Sequence, residues 1–359
     1  MAMCPECAES VADSDLFCEN CGTDLRTRRG GTAQAEAVAD PCRRCGEPAP
    51  TAVTTTEAEA GTEYCPGCGL RRQDGTDRVE TDLGAIGGVS DRGLVHARNE
   101  DAMALGLRLP AGAAAVLCDG VSSVRSPELA SRAATETALG VLLSDPGLPP
   151  EDGRAQPASR SAAVVGARLV RAAVAQAATA VAALGAPGDH DAPSCTLVCA
   201  LLDYPDGAGA DPVITVGWVG DSRAYWLAAP GAAEPAQRLT TDHSWATAMI
   251  DSGKLDEATA LADRRAHAIT RWLGQGGEPE PEVLSWRPEG PGVLLLCSDG
   301  LWNYLPGAEQ LAAALPPPER GTSPVEVARL LTQIALDAGG RDNITVIVIP
   351  VPTPAEVRT

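Results

Sequence analysis

The spacing of apolar and polar residues changes near residue 83 and divides the chain into two parts. Beyond that point, short and almost continuous apolar runs predict buried β-strands. Several of these runs are close neighbours in the chain, which is typical of antiparallel meanders. The runs cover residues 113–118, 195–202, 213–219, 223–228, 292–297 and 344–349.

Longer stretches between the strands have a helical composition. They cover residues 127–143, 160–184 and 324–338, and glycines follow the second and third of them, as is usual where a helix ends. A loop is predicted at 145–158, which is rich in proline, glycine and aspartate. Clusters of strands separated by helices favour a layered α+β domain at 83–352 over a doubly wound parallel sheet.

The first part of the chain is organised around cysteines in Cys-x-x-Cys pairs. Residues 1–24 and 41–71 form two similar units, and the stretches 25–40 and 72–82 are predicted to be polar linkers. Neither unit has the apolar residues for a core, so we expect one structural Zn²⁺ in each to supply the folding free energy, about 10 kcal/mol or more. The paired cysteines are Cys4, Cys7, Cys18, Cys21, Cys42, Cys45, Cys65 and Cys68.

This cysteine spacing favours zinc ribbons over disulfides or redox sites. A thioredoxin-like pair would lie in a βαβ context, which is absent here. We expect the first four cysteines to share one ion and the last four to share the other, and an interleaved pairing stays open. The remaining cysteines lie in apolar runs and are predicted to be small core residues.

Charge and composition exclude several classes of partner. The chain has 359 residues and a net charge of −20, so nucleic acid and anionic membrane surfaces would be repelled. Protein docking is therefore the expected role of the zinc ribbons. No apolar run has the roughly 18 residues of a membrane span, and the stretch 160–184 is predicted to be a packing helix. The N-terminus lacks the pattern of a signal peptide, so we expect a cytoplasmic protein with no membrane partner.

Aspartates at the edges of apolar runs are the candidate chemistry of the second part. Asp119 and Asp299 come at the end of such runs, and Asp342 comes just before one. A carboxylate at the mouth of a buried strand is costly unless its charge is compensated, and few basic residues lie beside these positions. Hard divalent cations are the simplest compensation. Any one of these residues alone would be more typical of a turn.

Seven motifs, in this order, resemble those of the metal-dependent protein serine/threonine phosphatases, the PPM or type 2C family. Among them are R-N-E-D at 98–101, L-C-D-G at 117–120, V-G-D-S-R-A-Y at 219–225, L-C-S-D-G at 296–300 and G-R-D-N-I-T-V at 340–346. The resemblance implies a four-layer α-β-β-α sandwich, with metal ions in a cleft at one end of the two sheets.

The resemblance also implies the role of individual residues. Asp119 would bridge two Mg²⁺ or Mn²⁺ ions, and Asp299 and Asp342 would complete the protein ligands of the first ion. The Gly120 carbonyl would bind the second ion, with Asp101 contributing directly or through a water molecule.

The implied reaction is hydrolysis of phosphoserine and phosphothreonine in proteins that a bacterial kinase has phosphorylated. Two divalent ions roughly 4 Å apart would neutralise the phosphoryl oxygens and activate a bridging water or hydroxide for in-line attack. All-oxygen ligation selects Mg²⁺ or Mn²⁺ over Zn²⁺. A third ion, as in bacterial relatives, would lie between Asp191 and Asp299, so two or three ions are expected.

Two departures from the family pattern bear on activity. His96 occupies the position of an arginine that binds the substrate phosphate in relatives, and an imidazole holds phosphate less well than a guanidinium. Arg98, on the same face of an extended segment, is a candidate substitute, and His96 could also be a solvated side chain. Val121 replaces a histidine proposed as general acid in eukaryotic members, and Ser122-Ser123 replaces the usual glycines.

Alternative functions stay open beside the phosphatase. One is a pseudophosphatase that binds phosphoproteins with little or no hydrolysis, which His96 and the Ser122-Ser123 loop favour. Another makes the zinc ribbons the functional part of the chain. Residues 244–268 correspond to the family's flap, whose small basic cluster could steer a phosphopeptide. Asp221 and His243 are predicted to have structural roles.

Overall fold

The computed structural model describes residues 77–108, 111–144, 162–186, 188–205, 211–317 and 321–352, together with three short strands nearer the N-terminus. The cysteines predicted to bind zinc, from Cys4 to Cys68, lie outside the described residues, as does the loop predicted at 145–158. The zinc ribbons and their pairing therefore stay predictions.

The described strands are, in chain order, β1 (Ala2–Met3), β2 (Ser10–Val11), β3 (Thr27–Arg29), β4 (Arg78–Asp82), β5 (Gly87–Asp91), β6 (Ala102–Arg108), β7 (Gly112–Cys118), β8 (Leu197–Asp203), β9 (Val213–Val219), β10 (Arg223–Ala228), β11 (Gln237–Arg238), β12 (Glu282–Trp286), β13 (Gly292–Cys297) and β14 (Ile344–Val351). The helices are α1 (Pro127–Leu143), α2 (Ala162–Ala182), α3 (Trp245–Asp251), α4 (Glu257–Ala262), α5 (Asp299–Trp302), α6 (Ala308–Ala314) and α7 (Pro324–Asp337).

The longer strands form two antiparallel sheets of six strands each. The first sheet has the order β11-β10-β13-β14-β5-β4, and the second sheet has the order β12-β9-β8-β7-β6-β3. In the second sheet, β3 belongs to the stretch predicted as a linker and pairs with residues 106–108 of β6. The closely spaced apolar runs at 195–202, 213–219 and 223–228 predict one antiparallel meander, and β8 and β9 do pair, but β10 lies in the first sheet beside β13, so the meander does not extend to it.

Alternating side chains along β7 show how the layers are stacked. Ala115 and Leu117 belong to the core between the two sheets, whereas Ala114 and Val116 face a core shared with α1 and α2. A third core joins the far side of the first sheet to α5, α6 and α7. The layers therefore follow the order helix, sheet, sheet, helix, and each apolar strand is buried on both faces.

Elements with long apolar runs lie close to their predicted bounds. The strands β9, β10 and β13 and the helix α1 span the predicted residues, and α7 ends one residue earlier than predicted. The prediction missed β5, whose sequence begins with two glycines. A Cβ on Gly87 would lie 2.5 Å from the Val325 backbone nitrogen, so glycine here lets α7 approach the sheet.

By length and composition, α2 is the one helix in the described part of the chain that could cross a membrane. Its Leu169, Val170 and Val174 are buried in the core that it shares with the second sheet. This burial is typical of a packing helix, as the sequence analysis expects.

Candidate metal centre

Four of the predicted metal ligands lie at the ends of paired strands. Asp101 directly precedes β6 and Asp119 directly follows β7, and these two strands pair in the second sheet. Asp342 lies just before β14 and Asp299 just after β13, and these strands pair in the first sheet. Each sheet therefore contributes two aspartates.

A hydrogen bond between the two sheets holds Asp101 in this group. Thr345 Oγ1, on β14, donates to Asp101 Oδ2 at 2.7 Å. The other oxygen, Asp101 Oδ1, is buried and has no hydrogen-bond partner. Burial raises the pKa of Asp101 to about 6, hydrogen bonds from Thr345 and Ser298 oppose this rise, and the charge of Asp342 reinforces it. A buried carboxylate oxygen without a donor is a natural ligand for a cation.

The clustered carboxyl groups raise one another's pKa. Burial first, and then the charges of Asp101 and Asp299, raise the pKa of Asp119 well above its usual range. Burial first, and then the charges of Asp342 and Asp221, do the same to the pKa of Asp299. The groups act on one another because they lie at the same end of the sandwich, where Asp101 is buried and Asp119, Asp299 and Asp342 are partly exposed.

Asp221 belongs to the same acidic cluster, although the sequence analysis predicts only a structural role for it. Asp221 is buried in the turn after β9, and burial together with the charge of Asp242 raises its pKa to about 7. Its own charge raises the pKa of Asp119 and Asp299. From the sequence, Asp221 could have been recognised by its position just after a buried strand. Asp119 has the same kind of position.

Asn343 fixes the loops that carry the aspartates. Its Oδ1 accepts from the Glu100 backbone N–H at 2.7 Å, and its Nδ2 donates to the carbonyl oxygens of Arg92 and Arg98 at 2.8 and 3.0 Å. Glycine permits the close packing, because a Cβ on Gly120 would lie 2.7 Å from the Glu100 carbonyl oxygen. The loops are therefore held by contacts that do not involve the clustered carboxyl groups.

Both predicted phosphate ligands have carboxylate partners. His96 Nε2 lies 3.3 Å from Asp342 Oδ1, so His96 contacts a predicted metal ligand. Arg98 Nη1 donates to Glu128 Oε1 at 3.2 Å, and the Arg98 side chain is 52% exposed. Of the two, Arg98 is the more accessible from solvent.

The structure does not bring Asp191 into the acidic cluster. Its carboxylate accepts from Arg125 Nε at 2.7 Å, and Arg125 Nη2 donates to Asp189 at the same distance. Asp191 is about half exposed, and it is not among the main charges that raise the pKa of Asp299. Its role as a ligand of a third ion stays a prediction.

The flap has less uncompensated positive charge than its sequence suggests. Arg265 pairs with Asp263 at 2.9 Å and also lies over the Trp245 ring, 4.1 Å from its centroid. His267, also exposed, lies 5.7 Å from the Trp302 ring between centroids, so the flap contacts the short helix that begins with Asp299.

The donors gathered at the aspartates fit a hard divalent cation. They are oxygens, and one buried oxygen of Asp101 has no partner, whereas Asp119, Asp299 and Asp342 are partly exposed. Among the residues that the structure describes, no three acidic, histidine or cysteine side chains lie close enough together to hold an ion. Like charges repel at close range, so the charge of an ion would be needed to draw these carboxylates together. The ligand roles of the individual residues stay predictions.

Comparison with known proteins shows the family. A family model described as protein phosphatase 2C matches residues 94–334, which is more than half of the chain. The chain belongs to the protein phosphatase 2C family. This confirms the predicted family and its mixed helix-and-sheet fold. A second family model, a zinc-ribbon domain, matches residues 1–25, where the first predicted ribbon lies.

Two named phosphatases and one solved structure illustrate the similarity of this 2C-family chain. Serine/threonine protein phosphatase PstP of Mycobacterium tuberculosis is 31% identical over 262 residues, which are 73% of this chain and 44% of the relative. Serine/threonine phosphatase stp of Listeria innocua is 32% identical over 154 residues, which are 43% of this chain and 55% of the relative. The chain thus spans about half the length of these curated relatives. A crystal structure of the PstP catalytic domain in complex with 2 manganese ions matches with a TM-score of 0.50 and 29% identity, covering 74% of this chain and 97% of that one.

Proposed function

We propose that this chain hydrolyses phosphoserine and phosphothreonine in proteins with the help of Mn²⁺ or Mg²⁺. The observation that carries the proposal is the group of Asp101, Asp119, Asp299 and Asp342 at the meeting of two sheets, two from each sheet, where burial and neighbouring carboxylates raise the pKa of Asp101, Asp119 and Asp299. Membership of the protein phosphatase 2C family and a relative named as a serine/threonine protein phosphatase support the same reaction.

In this proposal the aspartates divide the task of holding the ions. Asp119 would contact both of them, Asp299 and Asp342 would complete the first position, and the Gly120 carbonyl and Asp101 would serve the second. When bound, the ions would activate a water molecule for attack on phosphorus and neutralise the phosphoryl oxygens.

The surrounding residues orient the acidic groups and are not themselves nucleophiles. Thr345 holds one oxygen of Asp101, and Asn343 ties the neighbouring loops together. Cys118 and Cys297 lie directly behind the cluster, but burial raises the pKa of both thiols far above neutrality, so they remain protonated. Leaving-group protonation is assigned to water, because the loop after Gly120 offers no acidic side chain.

A pseudophosphatase that only binds phosphoproteins is the second candidate function. His96 and the Ser122-Ser123 loop motivate it, because both depart from the family pattern beside the cluster. Asp119, Asp299 and Asp342 favour the enzyme, because neighbouring carboxylates would repel the phosphate that a binding protein has to hold, unless cations are bound among them.

The test is hydrolysis of p-nitrophenyl phosphate and of a phosphothreonine peptide by the full chain in Mn²⁺, with and without a chelator. We expect turnover that the chelator abolishes. Asp119→Asn should lower kcat/KM by about three orders of magnitude, because several kcal/mol of transition-state stabilisation are lost. Asp337→Asn, at an exposed aspartate at the end of α7, is the matched control and should leave turnover unchanged.

Two results would contradict the proposed reaction. Turnover that persists in chelator would rule out metal-dependent chemistry. Tight binding of the phosphothreonine peptide without any Mn²⁺-dependent turnover would favour the pseudophosphatase.

We also propose that the N-terminal cysteines hold two structural Zn²⁺ ions and that the ribbons dock protein partners in the cytoplasm. The zinc-ribbon match at 1–25 supports the first ion, and paired thiols are typical of a reducing compartment. The zinc content of the double variant Cys4→Ser/Cys18→Ser is the test. Loss of one equivalent supports two separate ribbons, because both cysteines then serve the same ion, whereas loss of both equivalents supports an interleaved pairing.

A further inference from the structure

We propose that His96 orients the metal-binding carboxylate of Asp342 and does not bind the substrate phosphate, a role that rests on the function proposed above. His96 Nε2 lies 3.3 Å from Asp342 Oδ1, and the two side chains are 27% and 39% exposed. In relatives the same position holds an arginine for the phosphate. In this chain the shorter imidazole makes its contact with the carboxylate instead.

The backbone before His96 is packed directly against the segment that carries Asp342. The Leu94 backbone N–H donates to the Gly340 carbonyl at 2.7 Å. Gly93 has a φ of +73°, and a Cβ there would lie 2.1 Å from the Asp342 carbonyl oxygen. Only glycine permits this approach, which brings the loop within reach of the carboxylate.

The backbone after His96 is fixed as well. Asn343 Nδ2 donates to the carbonyl oxygens of both Arg92 and Arg98, so one side chain holds the loop on either side of His96. Asn343 is 3% exposed and directly follows Asp342, so the loop and the carboxylate share one rigid support. The contact between His96 and Asp342 is therefore built into the fold of the loop.

The two oxygens of Asp342 have different partners: one contacts the protein, and the other is left for an ion. Oδ1 accepts from the Asn343 backbone N–H at 2.8 Å and also faces His96 Nε2. Both of these contacts fall on Oδ1, which leaves Oδ2 as the oxygen presented to an ion. Donors on the outer oxygen of a ligating carboxylate fix its orientation, and their removal weakens metal binding by about 10- to 100-fold.

Arg98 is then the side chain available for the substrate phosphate. It is 52% exposed, and its contact with Glu128 at 3.2 Å is an exposed ion pair of the kind that contributes little stability and is easily exchanged. The single family arginine is thus replaced by two residues with separate tasks, one on the metal side and one on the substrate side.

The experiment separates metal affinity from phosphate affinity in the full chain. Calorimetry gives the Mn²⁺ dissociation constant, and kinetics in saturating Mn²⁺ give KM and the inhibition constant of inorganic phosphate. We expect His96→Ala to weaken Mn²⁺ binding about 10- to 100-fold and to change phosphate inhibition by less than about twofold. His96→Gln, whose amide nitrogen can replace Nε2, should recover most of the affinity, and Arg98→Ala should weaken phosphate inhibition alone. Thermal melts of the metal-free variants check that they are folded.

Two outcomes would overturn the role of His96. A weaker phosphate inhibition in His96→Ala, at unchanged Mn²⁺ affinity, would assign the residue to the substrate. Unchanged values of both would make it a solvated side chain. Because the Mn²⁺ titration needs no turnover, a wild-type chain that binds Mn²⁺ without hydrolysing phosphate would defeat the proposed reaction while still deciding the role of His96.

Discussion

Ser122 shows how one side chain can change the stiffness of a site. Its Oγ donates to Glu100 Oε2 at 2.7 Å, which joins the loop after Gly120 to the residue before Asp101. The family pattern that the resemblance implies has glycine at this position, and glycine could not make the bond. The two predicted contributors to the second ion position are therefore tied together by the Ser122 side chain.

Replacing Ser122 by glycine tests this tie. We expect Ser122→Gly to weaken Mn²⁺ binding about threefold to tenfold, as for loss of one partly exposed hydrogen bond to a carboxylate. Ser123→Gly, which removes a neighbouring exposed hydroxyl, is the control for backbone flexibility. Calorimetric titration with Mn²⁺ measures both, and equal losses in the two variants would show that flexibility, not the hydrogen bond, is responsible.

Some residues of the site could be predicted from the sequence, and the contacts of others could not. Asp119 and Asp299 are predictable because each ends an apolar run, and burial there is costly without compensation. Asp191 accepts a hydrogen bond from Arg125, which lies 66 residues away along the chain, and no local sequence pattern predicts such a contact. The direction of the His96 side chain likewise depends on how a distant segment packs against its loop.

At the scale of elements, Arg223 joins β10 to the helix that begins with Asp299. Arg223 donates two hydrogen bonds to Asp242, at 2.9 and 2.6 Å, and its guanidinium lies 3.7 Å from the Trp302 ring centroid. Trp302 in turn donates from Nε1 to the Asp221 carbonyl oxygen at 3.0 Å. The buried Arg223–Asp242 ion pair therefore helps to hold the acidic cluster in place.

Removal of Arg223 should be strongly destabilising. Arg223→Leu removes both hydrogen bonds to the buried Asp242 and leaves it only the longer contact with Arg238 at 3.8 Å, so we expect the free energy of unfolding to fall by about 3 kcal/mol. The double variant Arg223→Leu/Asp242→Leu should recover part of the loss. Arg329→Leu, at an exposed ion pair with Glu80, is the control and should cost about 1 kcal/mol or less. Urea unfolding measures all of them, and equal costs for Arg223→Leu and the double variant would contradict the argument.

Element prediction succeeded where burial is two-sided and failed where glycine replaces side chains. The strand at residues 213–219 is apolar throughout and every residue in it is buried, so the sequence alone defines it. The strand Gly87–Asp91 is equally buried, but its first two residues are glycines. Their missing side chains allow α7 and Ile347 to pack closely against the strand. Such a strand has no apolar pattern to detect, because close packing against α7 requires glycines where apolar side chains would otherwise lie.

At the scale of the whole molecule, the acidic cluster couples stability to pH and to metal. The pKa of Asp221 is about 7 in the folded chain, above its ordinary value of 3.8. Between these two pH values the folded metal-free chain keeps a proton that the unfolded chain has released. The contribution of Asp221 to stability therefore falls as pH rises from about 4 to about 7.

Asp221→Asn removes this titration. We expect the variant to be more stable than wild type at pH 8 in the absence of metal, by up to about 4 kcal/mol, and to differ little at pH 4. Urea unfolding of the metal-free proteins at both pH values is the measurement. A stability difference that does not change with pH would show that Asp221 is not a buried titrating group. Asp337→Asn, at an exposed carboxyl, controls for the loss of one surface charge.

The architecture of the sandwich was predictable as a whole only through the resemblance to a known family. Apolar runs identify strands, but the order β12-β9-β8-β7-β6 in one sheet and β10-β13-β14-β5 in the other depends on pairings between segments far apart in the chain. The convergence of Asp101 with Thr345, 244 residues away, is a product of that topology.

Because each sheet supplies two of the four aspartates, a divalent ion bound among them would clamp the sheets together at one end. The ion would offset the electrostatic repulsion between the carboxylates, which otherwise destabilises that end of the sandwich. Its binding free energy would add to the free energy of unfolding. On the function proposed above, scarcity of manganese would have two effects: the chain would turn over less substrate, and it would also be degraded more easily by proteases. The supply of one trace element would then govern both how fast this protein works and how long it survives.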